Sequence, residues 1–191
     1  MHWASRVVVV PGMVRVHLIP KVASEAIYKA FHQEKRAHLE TPEENGGEFR
    51  LVVVRHPLDR LVSNWAYFCR GSPTELNGQP QIRKLGYTDN MAFDDFLEVA
   101  LEQHEQNVHT RAQVEFIGPH KVDRLVPLHR LDEEWFKLRR RFPDLKVMRE
   151  VPRTHKTEHR EWRDYYDAAS IARCYEVFAD DVALYEKSLN Q

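Results

Sequence analysis

Apolar residues along this chain fall into two alternating patterns: short unbroken runs, and longer stretches in which they recur every three or four positions. Val14 to Ile19 reads as a buried strand. Ser24 beyond it is placed to N-cap a helix from Glu25 to about His38, with Ile27, Ala30 and Phe31 as the buried stripe. Glu40 to Glu48, with Pro42, Asn45, Gly46 and Gly47, breaks the pattern as a polar loop. Leu51 to Val54 is an uninterrupted apolar run of the kind a parallel sheet covers on both faces. After Pro57 the spacing turns helical, with Leu58, Leu61, Val62, Trp65 and Phe68 on one side and Arg60, Ser63 and Tyr67 on the other. Gly71 to Asn90 is the longest irregular stretch, expected to be a flexible or substrate-facing loop. Further on, Phe93, Phe96, Leu97, Ala100 and Leu101 predict a helix capped from Asp89 or Asn90. Val114 to Ile117 and Arg124 to Leu128 predict short strands, Asp132 caps a helix through Phe142, and Ala168 to Leu189 reads as a closing helical region.

Strand then helix, twice in succession, predicts an α/β fold: a central parallel sheet flanked by helices, with ligands at the strand C-terminal edge. No internal repeat and no shift in composition marks a boundary, so residues 1–191 are expected to form a single domain. The length and the 42% apolar content suit one sizeable core. A net charge of −1 conceals 28 basic and 29 acidic side chains and 11 histidines, so anion binding must come from local arrangement rather than from the bulk field. Nucleic acid is therefore not an expected partner. The two cysteines, Cys69 and Cys174, lie within amphipathic patterns and are too few for a disulfide framework or a zinc cluster, so both read as core thiols. Val7 to Val10 is too short for a signal peptide's apolar region, and no apolar run reaches the roughly eighteen residues of a membrane span. The expected location is cytoplasmic, with no membrane partner.

Candidate chemistry concentrates in two turns. Pro20-Lys21-Val22-Ala23-Ser24 follows the first buried strand, and Arg55-His56-Pro57 follows the second; each joins a strand end, a cation and a helix start, the ingredients of an anion site. Neither is a Walker A loop, since no Gly-x-x-x-x-Gly-Lys-Ser/Thr is present, and neither is a Gly-x-Gly-x-x-Gly dinucleotide turn.

These two segments resemble the nucleotide-binding motifs of the sulfotransferases. Pro20 to Ser24 is similar to the family's 5′-phosphosulfate loop, and Arg55-His56-Pro57-Leu58-Asp59-Arg60-Leu61-Val62-Ser63 to its 3′-phosphate segment, most closely in the carbohydrate branch, type 2 and heparan-type. Weaker similarity runs through Asn107-Val108-His109 to Gln113, Val122 to Leu125, and Arg153 to Tyr166. The resemblance implies a P-loop-NTPase-like sulfotransferase fold. It also implies 3′-phosphoadenosine 5′-phosphosulfate (PAPS) as donor, a hydroxyl acceptor of carbohydrate type, and no metal. The backbone of Val22, Ala23, Ser24, Glu25 and Ala26 would cradle the 5′ end, and Lys21 would meet the bridging oxygen and leaving phosphate. Arg55 and Ser63 would hold the 3′-phosphate. Arg153 and Lys156 belong to a late loop near the nucleotide, in which His155 stands where relatives commonly carry Asn. For the general base the resemblance favours His109, with His17, His32 and His38 as alternatives and His56 structural.

One departure from the family pattern bears on activity. Glu25 and Ala26 stand where relatives usually carry hydroxyls, and a carboxylate about 5 Å from an incoming anion repels it by on the order of 3 kcal/mol at an effective dielectric of 20. Binding then requires Glu25 to turn away, to pair with Lys29, or to be protonated. The alternative is a catalytically inactive nucleotide- or anion-binding protein on the same fold. Two further patterns have bland readings: His155-Lys156-Thr157-Glu158-His159 matches an inverted zinc-protease motif at about chance frequency, and Arg139-Arg140-Arg141 and Arg83-Lys84 read as solvated positions.

Overall fold

Two valine-rich runs meet at Pro11-Gly12-Met13 and fold back on each other. Gly12 takes a left-handed φ of 71° and the Met13 N–H donates to the Val10 carbonyl at 3.0 Å, joining β1 (Arg6–Val10) to β2 (Val14–Leu18) as an antiparallel hairpin. The computed structural model describes residues 6–41, 46–70, 83–153 and 159–191. They divide into two compact units. One comprises Met1–Arg55, Gln113–His155 and Ala183–Gln191; the other comprises His56–Ala112 and Lys156–Val182.

The first unit is built on a five-stranded sheet in the order β3-β1-β2-β4-β5, completed by β3 (His38–Glu40), β4 (Phe49–Val54) and β5 (Arg124–Pro127). β2, β4 and β5 run parallel, whereas β1 is antiparallel to both of its neighbours, so the α/β architecture carries a mixed sheet rather than a purely parallel one. Burial on both faces explains the near-continuous apolar character of β2 and β4. The exceptions, Arg15, His17 and Arg50, are buried charge and imidazole on one face.

Helix α1 (Ser24–Ala30) buries Ala26, Ile27 and Ala30 and stops well short of His38. Its end is fixed from outside: the Met148 N–H donates to the Ala30 carbonyl at 2.9 Å, and Trp135 packs edge-on against Phe31 with ring centroids 5.4 Å apart. The buried Glu34 then organises the following turn, receiving both prongs of the Arg36 guanidinium (2.8 and 2.7 Å) and the Lys146 N–H (2.9 Å). This local hydrogen bonding outcompetes continuation of the helix, and His38 falls in edge strand β3. Residues Gln113–Phe116 form a 3-10 turn where a strand was expected.

In the second unit, α2 (Pro57–Cys69) packs with α3 (Phe93–Glu102) and α5 (Ala168–Val177) around Leu58, Leu61, Val62, Phe68, Phe96 and Phe178. Pro57 at its first position suits the helix start, where an N–H has no intrahelical acceptor. Trp65 contacts Phe93 and Tyr165 edge-on, and its indole N–H donates to the Met91 carbonyl at 2.8 Å. Cys69 and Cys174 are buried free thiols, both pushed up to about 12 by desolvation, as core cysteines should be. The N-cap of α3 is Ala92 with no side-chain cap, rather than Asp89 or Asn90, whereas at α5 the Asp167 side chain accepts from the Ser170 N–H at 2.7 Å in a reciprocal capping box. Helix α4 (Leu131–Arg141), in the first unit, has Asp132 in its first turn rather than at its cap, and the closing helical region breaks at Phe178 into α5 and α6 (Ala179–Leu189).

Candidate functional site

β2 and β4 are parallel neighbours, so their C-terminal ends emerge at one edge of the sheet, and the two cation-bearing turns follow directly. Past β2 the chain makes a sharp loop in which Lys21 and Ala23 both adopt left-handed φ values, 66° and 63°. For residues with a Cβ this conformation is about 1–2 kcal/mol uphill, and it makes the loop curl tightly. The N-cap of α1 is Ala23, with no side-chain cap, and Ser24 is the first helical residue. Val22 is buried and its N–H points back to the Ile19 carbonyl at 3.4 Å, so it belongs to the turn rather than to a ligand cradle. Seven residues of helix make a weak dipole, so charge on side chains must supply most of any anion affinity.

The turn after β4 reaches across to that loop. The Arg55 guanidinium donates through Nη1 to the Lys21 carbonyl at 3.3 Å, which brings the two expected cation positions together in one unit. Arg55 is itself gripped by Gln113, whose Oε1 accepts from the Arg55 N–H at 3.0 Å and whose Nε2 donates to the Arg55 carbonyl at 2.8 Å. Glu25 lies in the first turn of α1 and pairs with Lys29 at 2.5 Å, one of the arrangements that donor binding requires of it. Ala26 is buried against the sheet.

Other expected residues lie elsewhere. His17 is a core residue: Nδ1 donates to the Phe116 carbonyl at 2.8 Å, Nε2 faces Arg50 Nη1 at 3.2 Å, and burial pushes its pKa down to about 4. A neutral imidazole committed at both nitrogens is no general base, and this alternative is set aside. His38 is level with Val9 in edge strand β3, and Val9 is level with Arg15 near the start of β2, about 10 Å along the strands from the loop. It binds Glu40 at 2.7 Å, and hydrogen bonding first to the Arg36 carbonyl and then to Glu40 raises its pKa. Exposed His32 follows the end of α1 rather than its start. Arg153 is largely in solvent and sits 3.8 Å from Asp132 in the first turn of α4. Lys156, with His155 and Thr157, lies outside the described residues, as do most of the zinc-like motif and of the Gly71 to Asn90 loop. Among the described residues no cluster of His, Cys, Asp and Glu is arranged to hold a metal, and no helix is long and apolar enough to cross a membrane.

In the second unit, Ser63 is buried on α2. The side of that helix opposite its apolar stripe is also interior at Arg60, Ser63 and Asn64: Arg60 donates to the Arg111 carbonyl at 2.7 Å and Asn64 to the His109 carbonyl at 2.7 Å. The His109 N–H in turn donates to Asn107 Oδ1 at 3.0 Å, and its ring meets Phe68 edge-on at 5.0 Å. Two residues of α2 thus hold the backbone on which His109 is carried. Their i, i+4 spacing was the available signal, one long polar stripe on an otherwise apolar helix. His56 stacks on Trp162 at 4.7 Å and burial lowers its pKa, in keeping with a structural role.

Residues 23–188 match the model of the sulfotransferase family. The chain belongs to the sulfotransferase family. This sulfotransferase is thus a transferase of the class that moves a sulfuryl group, and its α/β fold accords with that class. No curated protein and no solved structure matches it.

Proposed function

We propose that the chain transfers the sulfuryl group of PAPS to a hydroxyl acceptor, a carbohydrate by the branch its motifs resemble. The observation that carries this reading is the hydrogen bond between the Arg55 guanidinium and the Lys21 carbonyl, because it puts a guanidinium and the lysine loop side by side at the edge where a doubly phosphorylated donor would lie. Lys21 would sit against the bridging oxygen and stabilise the charge that develops there as the S–O bond breaks. Arg55 would hold the 3′-phosphate by charge-assisted hydrogen bonds, with backbone N–H groups of Ala23 to Ala26 lining the 5′ end. The acceptor hydroxyl attacks sulfur in line and gives its proton to a base, leaving adenosine 3′,5′-bisphosphate and a sulfate ester. The roles of Ser63 as a 3′-phosphate ligand and of His109 as the base rest on sequence resemblance alone, as does any contribution from Arg153 or Lys156.

Calorimetric titration with adenosine 3′,5′-bisphosphate tests donor recognition. Saturable binding is expected in the wild type and its loss in Lys21→Ala and Arg55→Ala; equal binding in all three rejects the site. Transfer of labelled sulfate from PAPS to a panel of glycans tests catalysis, and His109→Ala is expected to remove transfer while keeping bisphosphate binding. Binding with no transfer to any acceptor favours the silent binder instead, the reading that Glu25 in the first turn of α1 supports.

A further inference from the structure

We infer that Gln113 is a positioning residue for Arg55 and thereby sets the preference for a 3′-phosphorylated nucleotide; this rests on the reading of Arg55 as a 3′-phosphate ligand. The argument begins with what β4 lacks at its end. Its pairing with β2 runs only to His17↔Val52, and its pairing with β5 ends at Val54↔Pro127, where the proline has no N–H to offer a further rung. Arg55 therefore emerges beyond both ladders with a main-chain donor and acceptor to satisfy. Gln113, fully buried, fills the place of a strand residue. Its carboxamide accepts from the Arg55 N–H at 3.0 Å and donates to the Arg55 carbonyl at 2.8 Å, so a side chain reproduces both hydrogen bonds of a ladder rung.

At neutral pH only a carboxamide of this length does both jobs here. A carboxylate accepts but cannot donate, an aliphatic chain does neither, and asparagine is one methylene short. The glutamine is anchored in turn, because it begins the 3-10 turn whose last residue, Phe116, gives its carbonyl to the buried His17 ring at 2.8 Å. With both main-chain groups of Arg55 held, its Cα–Cβ bond has one direction, and the guanidinium arrives beside the Lys21 carbonyl. An arginine oriented in advance binds a phosphate without first losing the freedom of its backbone.

The test compares Gln113→Met and Gln113→Glu with the wild type, using adenosine 3′,5′-bisphosphate and adenosine 5′-monophosphate as calorimetric probes. Gln113→Met is expected to lose roughly tenfold in affinity for the bisphosphate and little for the monophosphate, so that the ratio of the two falls as it does in Arg55→Ala. A purely structural role would weaken both ligands alike and leave the ratio where it was, and that result overturns the inference. Gln113→Glu supplies a second readout: protonated, its carboxyl group both accepts and donates, so the bisphosphate preference is expected to recover as pH is lowered toward 5 relative to wild type measured in parallel. Absence of that recovery also counts against it. Amide exchange at Arg55, slow in the wild type and faster in Gln113→Met, checks the clamp without any ligand. Wild-type protein that binds no bisphosphate while its Arg55 amide is protected rejects the donor reading and, with it, the specificity role of Gln113.

Discussion

Glu25 is the residue at which electrostatics and donor binding meet. Left alone, its carboxylate would repel a phosphosulfate by about 3 kcal/mol, enough to cancel one good charged contact. Lys29 at 2.5 Å changes that, but the pair is not deeply buried, the lysine side chain being 50% exposed and the glutamate 28%. Such an i, i+4 pair adds only a few tenths of a kcal/mol to helix stability, so its consequence should appear in anion affinity rather than in folding. Lys29→Ala is expected to weaken bisphosphate binding by roughly fivefold at low salt, with the difference shrinking as ionic strength rises. In a Glu25→Thr background the same lysine substitution should matter little. If it costs the same affinity in both backgrounds, Lys29 acts on the ligand directly and the neutralisation argument fails.

At the scale of elements, the loop between β2 and α1 carries the strain. Two left-handed residues with side chains within three positions are an unusual expense for so short a connection. Ala23→Gly is expected to stabilise the protein by about 1 kcal/mol in urea denaturation, since glycine adopts that φ freely. Destabilisation would mean that the N-cap of α1 is not in the left-handed region. None of this strain was legible in Pro20 to Ser24, because neither lysine nor alanine signals positive φ, and a serine beside a helix start is the commoner cap. Elements with a strong period were legible: β4 from its unbroken valines, α2 and α3 from apolar residues three and four apart. Strand β1 shows in the sequence only as a short apolar run, although Pro11-Gly12 between two valine stretches is a hairpin signal. Strand β3 is three residues long and takes its identity from pairing with β1, which no local pattern reports. The same holds in the candidate site. Lys21 and Arg55 could be picked out because each follows an apolar run and precedes a helix start, in segments that resemble the sulfotransferase motifs, whereas the work of Gln113 on the Arg55 backbone depends on where two ladders stop.

Across the molecule, two buried groups of the sheet unit, His17 and Glu34, respond alike to acid. His17 is held neutral by burial with its pKa near 4, against 6.5 when unfolded. The folded state then binds fewer protons than the unfolded chain, so stability present above pH 6.5 is lost as pH falls through about 4. Protonation would add charge beside Arg50 and Arg15, the same two guanidinium groups whose fields already depress it. Glu34 continues the loss: hydrogen bonds from Arg36 hold its pKa near 2 against 4.5, so its contribution fades as pH falls below 4.5 toward 2. His38 works in the opposite sense, its raised pKa favouring the fold below 6.5, but it is about half exposed and screened. Between pH 6.5 and 4 the buried His17 outweighs it, by on the order of 3 kcal/mol, and Glu34 adds to the loss only below pH 4.5. Thermal unfolding followed by far-ultraviolet circular dichroism should therefore show the midpoint falling steadily from pH 7 to pH 4. His17→Gln, which keeps a donor and an acceptor but cannot charge, should start lower at pH 7 and fall less over that interval. Its curve running parallel to the wild type would place the proton uptake elsewhere. Because His17 anchors the turn that begins with Gln113, the same acid interval should also loosen the hold on Arg55, and donor affinity should decline with stability in the wild type but not in His17→Gln.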